Sequence, residues 1–150
     1  MAIYFYRITE PYGEFSNFAE YPFEIGGKYW ATSEHYFQAQ KFAGTVYEEQ
    51  VRLALTARYA ARIGRDPRLP LRADWEDVKV SAMRVALYHK FANNPALIRL
   101  LLSTRDEEII ERTTDDYYWG CGSGGTGINM LGKLLMELRT ELRSGRVMRP

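Results

Sequence analysis

Apolar residues recur at spacings of three and four along two long stretches of the chain. Between Asp74 and Asn93, Val80, Met83, Leu87 and Phe91 form one stripe; after Asn129, Leu131, Leu134, Leu135, Leu138 and Leu142 form another, opposite Lys133, Glu137 and Glu141. That period puts each stripe on the core-facing side of a helix. Shorter helices are marked by their ends. Ser33 caps a segment through Ala43, Thr45 and Glu48 have the spacing of a capping box, Thr56 opens a helix that Gly64 ends, and Asp74 caps the long central helix. Asn94-Pro95 restarts the chain with proline at the first helical position, Asp106 to Arg112 reads as one more short helix, and the last helix stops near Gly145. Ile3 to Ile8 suits a short buried strand, and Phe23 to Trp30, with Gly26-Gly27 in its middle, reads as a hairpin. Arg65 to Arg72, with Pro67 and Pro70, is an irregular connection, and Arg146 to Pro150 is expected to fray. The pattern predicts one helix-rich α+β domain over residues 1–150 with a small antiparallel sheet.

Composition narrows the functional classes. A chain of 150 residues, 46% apolar and 26% charged, suffices for one good core and is short for two. Its 11 Tyr, 7 Phe and 3 Trp argue against disorder. A net charge of +1, with both signs interspersed, carries no footprint of general nucleic-acid binding or membrane attachment, so a small ligand is favoured. Cys121 is the single cysteine, which excludes an internal disulfide and fits a reducing compartment. MAIYFYRI lacks the pattern of a secretory signal, and no apolar run approaches the ~20 residues that span a bilayer. The expectation is a cytoplasmic protein with no obligate protein partner. His35, His89 and Cys121 cannot supply the ligand spacing of a structural zinc site, so neither metal nor cofactor is expected.

Chemistry concentrates in a few segments. Thr113 to Gly132, TTDDYYWGCGSGGTGINMLG, combines Asp115 and Asp116 with Tyr117, Tyr118 and Trp119 and with glycines that let backbone approach a ligand. Asn129 reads as the cap of the following helix, whose free N–H groups would meet an anion; a hairpin tip before an ordinary helix would use the same residues. In TSEHYFQAQKF, helical spacing brings Glu34, Phe37, Gln38 and Lys41 onto one face. Glu34 sits in the first turn, where the helix dipole favours its ionised form, so it suits a base or cation stabiliser better than a proton donor. His35, beside aromatic residues, reads as a hydrogen-bonded structural histidine. In LPLRADWEDVK, Trp75 and Lys79 lie one turn apart, an indole for stacking and an ammonium for phosphate or sugar oxygens, or else core packing and a surface charge. GEFSNF is a loop exposing Ser16 and Asn17. Arg62, Arg65, Arg68 and Arg72 form a basic cluster able to hold phosphate or to tie down carbonyls. There is no GxSxG elbow and no GxxxxGK[ST] phosphate loop, and no histidine neighbours Cys121 in sequence.

Taken in order, GEFSNF, TSEHYFQAQKF, AARIGR, LPLRADWEDVK and DYYWGCGSGGTGINMLGKLLMELR closely resemble the YbiA-like, or NADAR, family, over nearly the whole chain from Tyr4 to Leu142. The resemblance implies hydrolysis of N-glycosidic bonds, either in ribosylamino-pyrimidine phosphates of early riboflavin synthesis or in ADP-ribose linked to guanine, the latter in nucleotides or nucleic acid. It implies Glu34 and Asp116 as catalytic carboxylates, Lys41, Lys79 and Trp75 as residues of the substrate site, and Asn17, Gly120 and Asn129 as supports. Cys121 departs from the acidic or polar residue expected there in relatives.

Breaking a ribosyl C–N bond builds positive charge on the sugar, so one carboxylate stabilises the transition state while another activates water. Ribosylamines open a second route, in which Lys41 or Lys79 attacks C1 to form a Schiff base before hydrolysis. Trp75, with Trp119, is the expected aromatic wall for the base, and the phosphate is expected among the arginines or at the helix start after Asn129. The competing reading is a noncatalytic sensor of ADP-ribose or a nucleotide.

Overall fold

A computed structural model of the chain describes residues 1–146. Its elements are β1 (Ala2–Phe5), a 3-10 turn (Gly13–Phe15), β2 (Phe23–Ile25), β3 (Lys28–Trp30), α1 (Ser33–Gln40), α2 (Val46–Arg52), α3 (Ala57–Gly64), α4 (Trp75–Ala92), α5 (Pro95–Ser103), β4 (Glu108–Glu111) and α6 (Met130–Ser144). The helix-rich α+β class and the small antiparallel sheet hold, and a parallel strand pair joins them. The described residues divide into two compact units, Glu20–Lys90 and Met1–Ala19 with the residues from Phe91 onward.

In the Glu20–Lys90 unit, β2 and β3 pair antiparallel with Phe23 opposite Trp30. Gly26 and Gly27 both have positive φ, 60° and 79°, the requirement of the tight turn whose twist matches a two-residue hairpin. α1 starts one residue away from its expected cap: the cap is Thr32, whose hydroxyl accepts the His35 N–H at 3.1 Å, and Ser33 is already helical. The helix ends at Gln40 rather than Ala43. Thr45 accepts from Tyr47 N–H at 3.2 Å while Glu48 accepts from Gly44 N–H at 2.8 Å, so Thr45 caps the helix but both bonds of the expected capping box fall one residue early. Thr56 caps α3 through Tyr59 N–H at 3.0 Å. Asp74 precedes α4, but its carboxylate goes to the Arg72 guanidinium at 2.6 Å, and only its carbonyl serves the helix. The proline-rich connection is sewn to the end of α1, since Arg72 donates its N–H to Lys41 O at 3.0 Å. Phe23, Trp30, Ala39, Phe42, Val51, Ala60 and Ala86 form the apolar cluster that holds these pieces.

In the other unit, β1 and β4 run parallel, with Ala2 opposite Glu108 and Phe5 opposite Glu111. This corrects two expectations. Asp106 to Arg112 is not a helix, because its β-branched Ile109-Ile110 core pairs with a strand distant in sequence. The N-terminal strand covers Ala2–Phe5 only, and Tyr4, Tyr6 and Ile8 are exposed at 44%, 48% and 52% rather than buried. The α6 stripe behaves as its spacing implies: Leu131, Leu134, Leu135 and Leu138 are buried. Gly145, at φ 72°, ends the helix. GEFSNF also needs correction, because Ser16 and Asn17 are both buried. Of the tail expected to fray, 147–150 lie outside the described residues; Arg146 donates its N–H to Glu141 O at 3.2 Å.

Candidate active site

The first turn of α1 directs Glu34 inward, where it is 6% exposed. One turn on, Gln38 donates from Nε2 to Glu34 Oε2 at 2.8 Å. At the end of the helix Lys41 is half-buried and donates from Nζ to Gly64 O at 3.1 Å. Burial pushes the Lys41 ammonium below the ordinary lysine value; the Glu34 charge opposes this and the Arg65 charge adds to it. Lys41 Nζ lies 5.8 Å from the centre of the Trp75 ring, and Phe37 packs on that ring with centroids 5.2 Å apart. The helical face expected to hold acid, amide and amine therefore exists, and it is an enclosed face rather than a solvated one. Trp75 is itself buried. Lys79, one turn along α4, forms an ion pair with Glu76 at 2.6 Å.

Most of the basic cluster is spent locally. Arg68 binds Asp66 at 2.9 Å, Arg72 binds Asp74 at 2.6 Å, and Arg62 lies 6.0 Å from the centre of the Tyr59 ring. Arg65, exposed at the end of α3, makes no such bond to the described residues. His35 is a structural histidine: Nε2 donates to Ala54 O at 3.0 Å, which leaves Nδ1 to accept the Thr32 hydroxyl at 2.8 Å. Burial lowers its pKa, and the Ala54 carbonyl opposes the shift.

In the unit that contains the late loop, Asp116 Oδ1 accepts the N–H groups of Tyr118 and Trp119 at 3.0 and 2.8 Å. Its own carbonyl accepts the Thr113 hydroxyl at 2.6 Å, and that hydroxyl accepts Gly122 N–H at 3.0 Å. Gly120 is needed for space: an added methyl would lie 2.9 Å from Glu111 O, against the Thr113 side chain as well. Trp119 is half-buried, with its ring 5.0 Å from that of Tyr118 at 84°. Asn129, in the left-handed region at φ 58°, makes no side-chain cap. Its amide instead accepts Glu111 N–H at 3.0 Å and donates to Ile109 O at 2.9 Å. The helix start after it is not an open anion site, because the N–H groups of Asn129, Met130 and Leu131 go to the carbonyls of Gly120, Tyr118 and Trp119.

Sequence spacing missed two residues of this geometry. Gly64 looked like a helix stop and is also the carbonyl that anchors Lys41. Thr113 carried no signal, because its role depends on a loop closing back over nine positions.

The chain matches the model of the NADAR domain over residues 4–143. It belongs to that family. The NADAR chain is 51% identical over 140 residues to N-glycosidase YbiA of Escherichia coli (strain K12), covering 93% of this chain and 88% of that one. It is 44% identical over 147 residues to N-glycosidase Npun_R5314 of Nostoc punctiforme, covering 96% and 94%. A riboflavin biosynthesis protein of Vibrio vulnificus is 40% identical over 141 residues, which are 94% of this chain and 38% of that protein. The NMR structure of E. coli YbiA superposes with a TM-score of 0.89 at 49% identity, over 97% of this chain and 87% of that one.

Proposed function

We propose that this NADAR chain is an N-glycosidase that hydrolyses the ribose C1–N bond of a phosphorylated ribosyl compound, a ribosylamino-pyrimidine phosphate or ADP-ribose linked to guanine. The observation that carries the reading is the enclosed Glu34–Gln38–Lys41 face beside Trp75, in a chain 51% identical to a protein named as an N-glycosidase. Glu34 is the carboxylate that stabilises charge on the sugar or activates water. Asp116 is the second proposed carboxylate; its Oδ1 is engaged by backbone N–H groups, and its Oδ2 is the oxygen proposed to act. Trp75 and Trp119 are the proposed rings for the base. Asn17, Gly120 and Asn129 are proposed to keep the site in shape, Asn129 through its bonds to β4.

Of the two routes, the lysine route favours Lys41 over Lys79, because burial already biases Lys41 toward the free amine while Lys79 is paired with Glu76. Arg65 is the proposed partner of the substrate phosphate, its neighbours being engaged elsewhere. The family match runs through both compact units, which supports treating 1–150 as one domain. No helix among the described residues is long and apolar enough to cross a membrane; we place the protein in the cytoplasm. The test is incubation of the purified chain with a ribosylamino-pyrimidine 5-phosphate and, separately, with guanine-linked ADP-ribose, measuring ribose 5-phosphate and ADP-ribose. Release of either product is expected. Tight binding of both compounds without release would establish the sensor reading instead.

A further inference from the structure

Gln38 is 3% exposed, yet it uses its buried amide incompletely: Nε2 donates to Glu34, while Oε1 is buried with no hydrogen-bond partner among the described residues. Packing alone does not explain a glutamine here. A methionine has the same reach and would fill the volume without an unpaired polar atom. The gain that offsets the orphaned oxygen is the bond to the Glu34 carboxylate.

Gly64, on the facing helix α3, points the same way. It is not among the residues with positive φ, so its backbone conformation does not call for glycine. Space does: a methyl added there would lie 2.6 Å from Gln38 Cδ and 2.8 Å from Gln38 Cβ, closer than carbon atoms approach. The same residue's carbonyl accepts the Lys41 ammonium at 3.1 Å. One position at the end of α3 thus admits the amide that holds the acid and anchors the amine.

We propose that Gln38 is a positioning residue that fixes the Glu34 carboxylate for reaction, and that Gly64 is glycine because the Gln38 amide occupies the space of its side chain. This inference rests on the reading of Glu34 as the catalytic carboxylate. A carboxylate on a long side chain reaches many rotamers, and a donor on one oxygen selects among them.

The test uses the full chain and a ribosylamino-pyrimidine 5-phosphate. Gln38→Met is expected to lower kcat by about 10- to 100-fold, the usual cost of losing a partner behind a reacting group, with KM changed by less than about threefold. Gln38→Asn, which keeps an amide but withdraws it by one methylene, is expected to lose kcat in the same way and carries the test if the methionine variant does not fold. Glu34→Gln and the double variant Glu34→Gln/Gln38→Met are expected to share one residual rate, since no carboxylate remains to be held. A folded Gln38→Met with kcat within about twofold of the parent, or a loss that adds in full to that of Glu34→Gln, overturns the positioning role. Near-parent turnover by Glu34→Gln is a different failure, because it removes the reading of Glu34 itself.

Discussion

In α1 the polar side chains Glu34 and Gln38 are buried and Lys41 half-buried; Gln38 binds Glu34 and Lys41 binds one distant carbonyl. In the loop from Thr113 to Gly132 the polar side chains Thr113, Asp116 and Asn129 bind the backbone of that loop and of the strand before it. The two segments hold similar residue types and spend them differently. A helix satisfies most of its main-chain groups internally, so its side chains are available to one another and to a ligand. A loop has no such ladder, and every buried N–H and C=O must find a partner among side chains or irregular contacts. Most polar side chains of the loop thus bind main chain, whereas those of the helix bind one another and one distant carbonyl.

Glu34→Gln, nearly identical in shape, is expected to lower kcat on the order of 10³-fold with the circular dichroism spectrum unchanged. A rate near the parent's would take the chemistry away from the helix.

Lys41→Met is expected to lower kcat about 100-fold if the Schiff-base route operates, and Lys79→Met to cost much less. Sodium borohydride added during turnover would then leave a reduced adduct that peptide mapping locates at Lys41; an adduct at Lys79 reverses the assignment, and full turnover with no adduct assigns the reaction to water attack.

The loop is probed by Asp116→Asn, which keeps an oxygen for the Tyr118 and Trp119 N–H groups and replaces the other carboxylate oxygen, with its charge, by an amide nitrogen. The expected result is a kcat loss of about 10- to 100-fold with little change in Tm. An unchanged kcat would make the contrast complete, leaving the loop with no reacting group at this position.

Thr113→Val should act on stability rather than rate. It orphans both Asp116 O and Gly122 N–H, a cost of about 2 kcal/mol, seen as a Tm lower on the order of 5 °C.

The smallest effect concerns His35, the neighbour of Glu34 that points into structure instead of chemistry. Its pKa in the folded chain lies below the ordinary 6.5 because of burial, so between the two values the unfolded chain binds the extra proton. The stabilisation is complete above about 6.5 and declines as pH falls through the lowered value, by at most ~1.4 kcal/mol per pH unit. Denaturant melts at pH 7.5 and 5.5 should show this decline, reduced in His35→Gln but not abolished, since His89 is shifted in the same direction by burial.

Local signals carried much of the fold. The Gly26-Gly27 hairpin, the Thr45 and Thr56 caps and the buried leucines of α6 each depend on neighbours within a few residues, and the structure keeps all of them. So does the shared face of Glu34, Gln38 and Lys41, which follows from helical period alone. Other features depend on partners far along the chain. Glu108–Glu111 is a strand because Ala2–Phe5 lies beside it. Asn129 holds β4 instead of capping α6, and the N–H groups at the start of that helix meet loop carbonyls instead of solvent. Whether Glu34 is buried, whether Lys41 loses part of its hydration, and why position 64 carries no side chain were set by the packing of α1 against α3. The order of residues determines which groups a turn of helix brings to one side; only the closing of distant segments determines which of those groups leave water, and desolvation is what turns a row of polar side chains into reactive ones.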